Sequence, residues 1–151
     1  MDELAENEIT EKIIGAAIEV HRHLGPGLLE SAYEECLCYE LNRLGLRFER
    51  QVHMPIFYKG IKLESAYKMD LMVQETVIVE IKAIKGTIPV HAAQLLTYLK
   101  SANKRVGLLI NFNVPILKDG LKRVVNRYQD VSQTPESPRL SVSASKSKGA
   151  L

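Results

Sequence analysis

Between residues 8 and 23 the apolar positions Ile9, Ile13, Ala16, Ala17 and Val20, followed by Leu24, recur every three or four residues, with acids and Lys12 on the other side. That is the period of an amphipathic helix. Gly25-Pro26-Gly27 interrupts it, since proline cannot donate in the ladder and glycine frees the backbone. A second helical pattern fills residues 28–44, placing Glu30, Tyr33, Leu37, Leu41 and Leu44 on one side, and Gly45 is its expected C-terminal cap. Residues 46–58 mix β-formers with Arg47, Arg50, Gln51 and His53 around Pro55, which predicts an extended, bent strand. Lys59-Gly60 turns the chain, and Ile61-Lys62-Leu63 leads back.

Residues 67–83, YKMDLMVQETVIVEIKA, carry the most information. Their odd positions, Tyr67, Met69, Leu71, Val73, Val77, Val79, Ile81 and Ala83, are uncharged, as one buried face of a hairpin should be. The even positions hold Lys68, Asp70, Met72, Ile78, Glu80 and Lys82. A turn centred on Glu75 sets Asp70 opposite Glu80, and like charges facing across a strand pair are destabilising. A divalent cation between the carboxylates and an anion beside Lys82 would relieve this, because hard cations take oxygen ligands. The plainer alternative is an exposed face with an ordinary Glu-Lys pair.

Glu30 poses a similar choice. On an apolar helix face it needs a metal or a lysine, whereas in the first turn its head can reach water and favour the helix dipole.

After the hairpin, Lys85-Gly86-Thr87 and Pro89 mark a loop. A helix is expected over residues 90–101, with Ala92, Ala93, Leu95, Leu96 and Leu99 inward and His91, Gln94 and Tyr98 as a polar-tipped stripe. Residues 105–112, RVGLLINF, form an apolar run suited to a strand buried on both faces and reached by an αβ crossover. A last helix is expected over residues 118–128, with Leu121, Val124, Val125 and Tyr128 inward and Lys118, Lys122, Arg123 and Arg127 outside, either as a solvated surface or against a phosphate backbone. Residues 129–151 turn to Ser, Pro, Thr, Lys and Gly, the composition of a disordered tail.

Composition changes this picture little. A chain of 151 residues, 46% hydrophobic and 25% charged, can bury one core, so residues 1–128 are expected to form one domain. The acidic, polar beginning and the lack of an eighteen-residue apolar run point to a soluble, cytoplasmic protein without membrane association. Cys36 and Cys38, two apart on a helix, suggest neither a disulfide framework nor a zinc site, and His53 lacks a partner at metal spacing. Net charge is +2, but residues 41–151 hold eighteen bases against eight acids, which suits a polyanionic partner.

Asp70, nine residues, then Glu80-Ile81-Lys82 resembles the D…(D/E)-x-K signature of the PD-(D/E)-x-K nuclease superfamily, with Met69 where its proline would stand. Gly27-Leu28-Leu29-Glu30-Ser31-Ala32-Tyr33 fits G-x-x-E-x-x-Y, the name-giving motif of the GxxExxY family assigned to that superfamily. Gln94-x-x-x-Tyr98 resembles the Q-x-x-x-Y motif of its recombination-nuclease branch. The resemblance implies a restriction-endonuclease-like α/β (or α+β) fold with an α-β-β-β-α-β core, its central mixed sheet flanked by helices.

It further implies a metal-dependent nuclease acting on nucleic acid, most naturally DNA. Asp70, Glu80 and the Ile81 backbone carbonyl would hold Mg²⁺ or Mn²⁺, with Glu30 as a direct or water-mediated ligand. Lys82 would contact the scissile phosphate or attacking water, and Gln94 and Tyr98 would orient substrate and strand. A homodimer would suit cutting of both strands. With no Walker A loop, any ATP-driven motor would be a separate helicase or other protein partner. The alternative is a catalytically silent module of the same fold that binds nucleic acid or a protein.

Overall fold

A computed structural model of the chain describes residues 3–86 and 89–127. Helix α1 (Glu3–Leu24) and helix α2 (Glu30–Arg43) precede strands β1 (Phe48–Tyr58), β2 (Ile61–Val73) and β3 (Val77–Lys82). Helix α3 (Pro89–Ala102) then crosses to β4 (Val106–Asn111), and a single 3-10 turn (Leu117–Gly120) leads into β5 (Leu121–Val125).

The five strands lie side by side in chain order. Every pairing is antiparallel except β3 with β4, which the α3 crossover makes parallel. The result is a mixed sheet with α1 and α2 on one face and α3 on the other, the expected core with one strand added.

Each face has its own apolar cluster. Ile13, Ala17, Tyr33, Leu37 and Leu41 pack on Leu71, Val73, Val77, Val79, Leu108 and Ile110. On the other side Leu95, Tyr98 and Leu99 cover Met69, Met72, Ile78, Leu109 and Val124. Strands β3 and β4 are therefore buried at nearly every position, as strands covered on both faces must be.

This corrects the two-face reading of the hairpin. Met72 and Ile78, on the even side, are buried under α3, while Met69 and Tyr67 leave the odd side to join them. The alternation breaks opposite Asp70, at Gln51, whose φ of +52° lies in the left-handed region. Arg50 and Leu71 thus pair on the α2 side, but Val52 and Met69 pair on the α3 side.

The expected helix over residues 118–128 is also corrected. Leu121, Val124 and Val125 pair with Ile110, Gly107 and Val106, giving β4 a hydrogen-bonding partner on its outer side. A helix there would leave that side an open edge, and β-branched valines favour the pleated conformation. Gly120 permits the entry, since a Cβ would lie 2.0 Å from the Asn111 carbonyl oxygen. The basic residues consequently share no helical face: Lys122 and Arg123 alternate, and Arg123 donates to Asn7 Oδ1 at 2.7 Å. Tyr128 and the expected tail at 129–151 lie outside the described residues.

The α1–α2 connection explains part of the G-x-x-E-x-x-Y pattern. The Tyr33 hydroxyl donates to the Gly25 carbonyl at 2.6 Å and accepts the Leu28 N–H at 3.1 Å, while its ring stacks on Phe112 at 4.4 Å. One buried phenol thus ties the Gly-Pro-Gly loop to β4's end. Tyr33→Phe keeps the stack but leaves two backbone groups without their partner, so it should cost about 1–3 kcal/mol in urea unfolding. Tyr39→Phe, on the exposed side of the same helix, should stay within about 0.5 kcal/mol.

Candidate active site

The β2–β3 ladder runs from Val73↔Val77 to Leu71↔Val79. Beyond it, side chains replace the backbone pairing. The Asp70 N–H donates to Glu80 Oε2 at 3.0 Å, and the Ile81 N–H donates to Asp70 Oδ2 at 2.8 Å. Each carboxylate therefore takes a backbone donor of the opposite strand, and the expected juxtaposition of Asp70 and Glu80 is present.

The electrostatics follow from burial. Glu80 is only 5% exposed, and desolvation, reinforced by the Asp70 charge, pushes its carboxyl from 4.5 up to about 8. Burial also raises Asp70, against the lowering effects of the Ile81 N–H and Lys82. Half-buried Lys82 lies near enough to favour both ionised carboxylates.

Gln51 supports Asp70 from β1. Its Nε2 lies 3.4 Å from Asp70 Oδ1 and donates to Glu34 Oε1 at 2.9 Å. Glu34, buried on α2, also accepts Arg50 Nε at 2.9 Å, and Arg50 reaches Glu35 at 3.2 Å. The Glu34 bond raises the Arg50 pKa, so this guanidinium stays charged. Across the sheet, Asn111 fixes the chain just past Lys82: it accepts the Ile84 N–H and donates to the Ile84 carbonyl at 2.9 Å.

The acid on α2's buried face is thus Glu34, one turn beyond Glu30. Glu30 is exposed in the first turn, with Oε2 3.4 Å from the Ala83 N–H, and so still faces the end of β3. Of the α3 stripe, His91 is half-buried, Gln94 exposed and Tyr98 buried. Tyr98 packs on Tyr67 at 4.3 Å, and burial, then Glu80, pushes its hydroxyl up to about 12. No hydrogen bond joins Gln94 to the carboxylates among the described residues.

A family description for the PD-(D/E)XK nuclease superfamily matches residues 7–124, spanning both helices, the hairpin and the crossover. The chain belongs to the PD-(D/E)XK nuclease superfamily. No curated protein matches it. The solved crystal structure of SSO0001 aligns over 80% of this chain and 79% of that one at 16% identity, with a TM-score of 0.42, too loose a likeness to bear on function.

Asp70, Glu80 and Lys82, whose spacing resembles the superfamily's D…(D/E)-x-K signature, lie within the matched span. Among the described residues no group of three or more His, Cys, Asp or Glu side chains converges enough to hold a metal ion. The assembled part is the Asp70–Glu80 pair. Its donors fit a hard divalent cation: two carboxylates, one deeply buried, whose joint ionisation the protein alone does not neutralise. The cysteines stay outside this chemistry as free thiols, and burial raises Cys38 to about 11. No described helix is long and apolar enough to cross a membrane.

Sequence reasoning missed Glu34, Gln51 and Arg50. Glu34 had a signal, since it lies one turn beyond Glu30, but Gln51's position depends on a backbone reversal without a glycine to announce it. Asn111, polar within an apolar run, was visible but unassigned.

Glu80 gives a pH prediction. The unfolded chain releases this proton near 4.5 and the folded protein near 8, so protonation favours the fold. Without divalent cations, stability should fall as pH rises through that window, by at most about 1.4 kcal/mol per pH unit for one proton. Glu80→Gln should flatten the fall in urea titrations. An unchanged slope would place the proton elsewhere.

Proposed function

We propose that the protein is a metal-dependent nuclease of GxxExxY type that hydrolyses phosphodiester bonds of DNA. The observation carrying this reading is the Asp70–Glu80 pair, held by opposite-strand amides where β2 parts from β3, with Lys82 beside it. A surface ion pair would not require two acids to face each other in a buried setting.

Asp70 and Glu80 would hold Mg²⁺ or Mn²⁺, with the Ile81 carbonyl and, directly or through water, Glu30 completing the set. When bound, such a cation lowers the pKa of water and neutralises charge developing on a phosphate. Lys82 supplies a further positive charge to the scissile phosphate as negative charge builds. Gln51 restrains the Asp70 carboxylate through Glu34 and Arg50, limiting its motion between β1 and β3. The Tyr98 hydroxyl remains a proton donor at neutral pH and can orient groups beside Glu80. Gln94, exposed one turn earlier, is available to substrate.

Labelled duplex, single-stranded and branched DNA should be cut with Mg²⁺ or Mn²⁺ and spared with EDTA. Asp70→Ala and Lys82→Ala should each lower the rate at least about a hundredfold, with Asp70→Ala also abolishing the rise in melting temperature on adding Mn²⁺. Uncut DNA and RNA, with metal leaving the melting temperature unchanged, would favour a catalytically silent binding module.

A further inference from the structure

Strands β1 and β2 continue well past the rest of the sheet. Their register extends from Phe48↔Val73 to Tyr58↔Ile61, whereas β3 pairs only with Leu71, Met72 and Val73 of β2. From Asp70 outward they form a two-stranded ribbon, closed by Lys59 and Gly60 with φ of +49° and +82°. Positive φ at both positions suits a tight two-residue hairpin.

We infer that the outer half of this ribbon docks a nucleic-acid duplex flanking the phosphate to be cut, an inference that rests on the nuclease reading above. Cross-strand partners share a face. At the tip Phe57–Lys62 therefore present an aromatic ring and a base on one face, while Ile56–Leu63 and Tyr58–Ile61 form the other; nearer the carboxylates, across a register shift between Met54 and Ile56, His53–Lys68 add a second basic pair. No acid occurs from Arg50 to Leu63, and Lys59 adds a charge at the turn. Glu64 is the acid beside the tip; its 3.4 Å pair with Lys62 is solvent-exposed, so a phosphate can replace it at little cost.

Reach supports the same occupant. On the shorter strand eight residues separate Gln51, opposite Asp70, from Lys59, and at roughly 3.3 Å per residue the ribbon extends about 26 Å, most of one turn of duplex. A duplex lying along it, with one phosphate at the carboxylates, meets the tip within one turn. There Phe57, paired with Lys62, is 69% exposed and available to stack or wedge against bases while lysines hold phosphates. A second copy fits less well. Two basic tips repel, and four half-exposed apolar side chains fall short of the roughly 800 Å² per partner of a stable interface.

The test uses the full chain in Ca²⁺ and a fluorescent duplex of about thirty base pairs, beside a loop-closed hairpin with a stem of about six, roughly 20 Å and too short to span the ribbon. Lys59→Glu with Lys62→Glu should weaken binding of the long duplex about tenfold or more and reduce its salt dependence. Phe57→Ser should weaken it severalfold, with both variants keeping the wild-type melting temperature. Short-duplex binding and Mn²⁺-dependent hydrolysis of bis(p-nitrophenyl) phosphate should be unchanged, because neither needs the tip. Long-duplex affinity within twofold of wild type overturns the inference, as does a shift from dimer to monomer in Ile61→Ser with Leu63→Ser that leaves DNA binding unaltered. If wild type cuts neither DNA nor the small diester but the ribbon variants still lose duplex binding, the nuclease reading fails and the docking surface stands.

Discussion

The site depends on a local exchange of hydrogen bonds. Where β2 and β3 would continue their ladder, Asp70 and Glu80 each accept an amide from the opposite strand. Side chains thereby satisfy donors that parting strands would otherwise leave bare, and a bare buried N–H is expensive. The same exchange brings two carboxylates together under α3, where water is too scarce to stabilise both charges. The gap in the ladder therefore also concentrates acidity that burial leaves poorly neutralised.

The surrounding structure keeps that gap from closing or drifting. Gln51 reverses the side-chain alternation of β1 opposite Asp70, so Arg50 reaches α2 while Val52 turns under α3. Glu34 and Arg50 anchor Gln51, and Asn111 fixes the backbone beyond Lys82. Tyr33 secures the loop ahead of α2 and hence the start of the helix that carries Glu30. Elements far apart in the chain thus converge on the last residues of β3.

Much of this was legible in residue patterns. Helical periodicity located α1, α2 and α3, and the apolar run located β4, because each signal is local. The turn at Glu75 made the Asp70–Glu80 opposition readable, since a strand's period of two leaves no choice of partner once the turn is set. The last helix was misassigned because Leu121, Val124 and Val125 fit both helical and strand periods. Pairing with β4's open side decided between them.

By itself, the sequence determined which residues the hairpin brings together: two acids and a lysine at hairpin spacing, preceded by a helix bearing Glu30 and followed by one bearing Tyr98. Only the tertiary structure decided which acid is buried on α2, that Gln51 supports Asp70, and that both hairpin faces are covered. Each depends on backbone reversal or on packing between distant segments. Periodicity assumes unbroken alternation and carries no information about what covers a face; contact between elements supplies both.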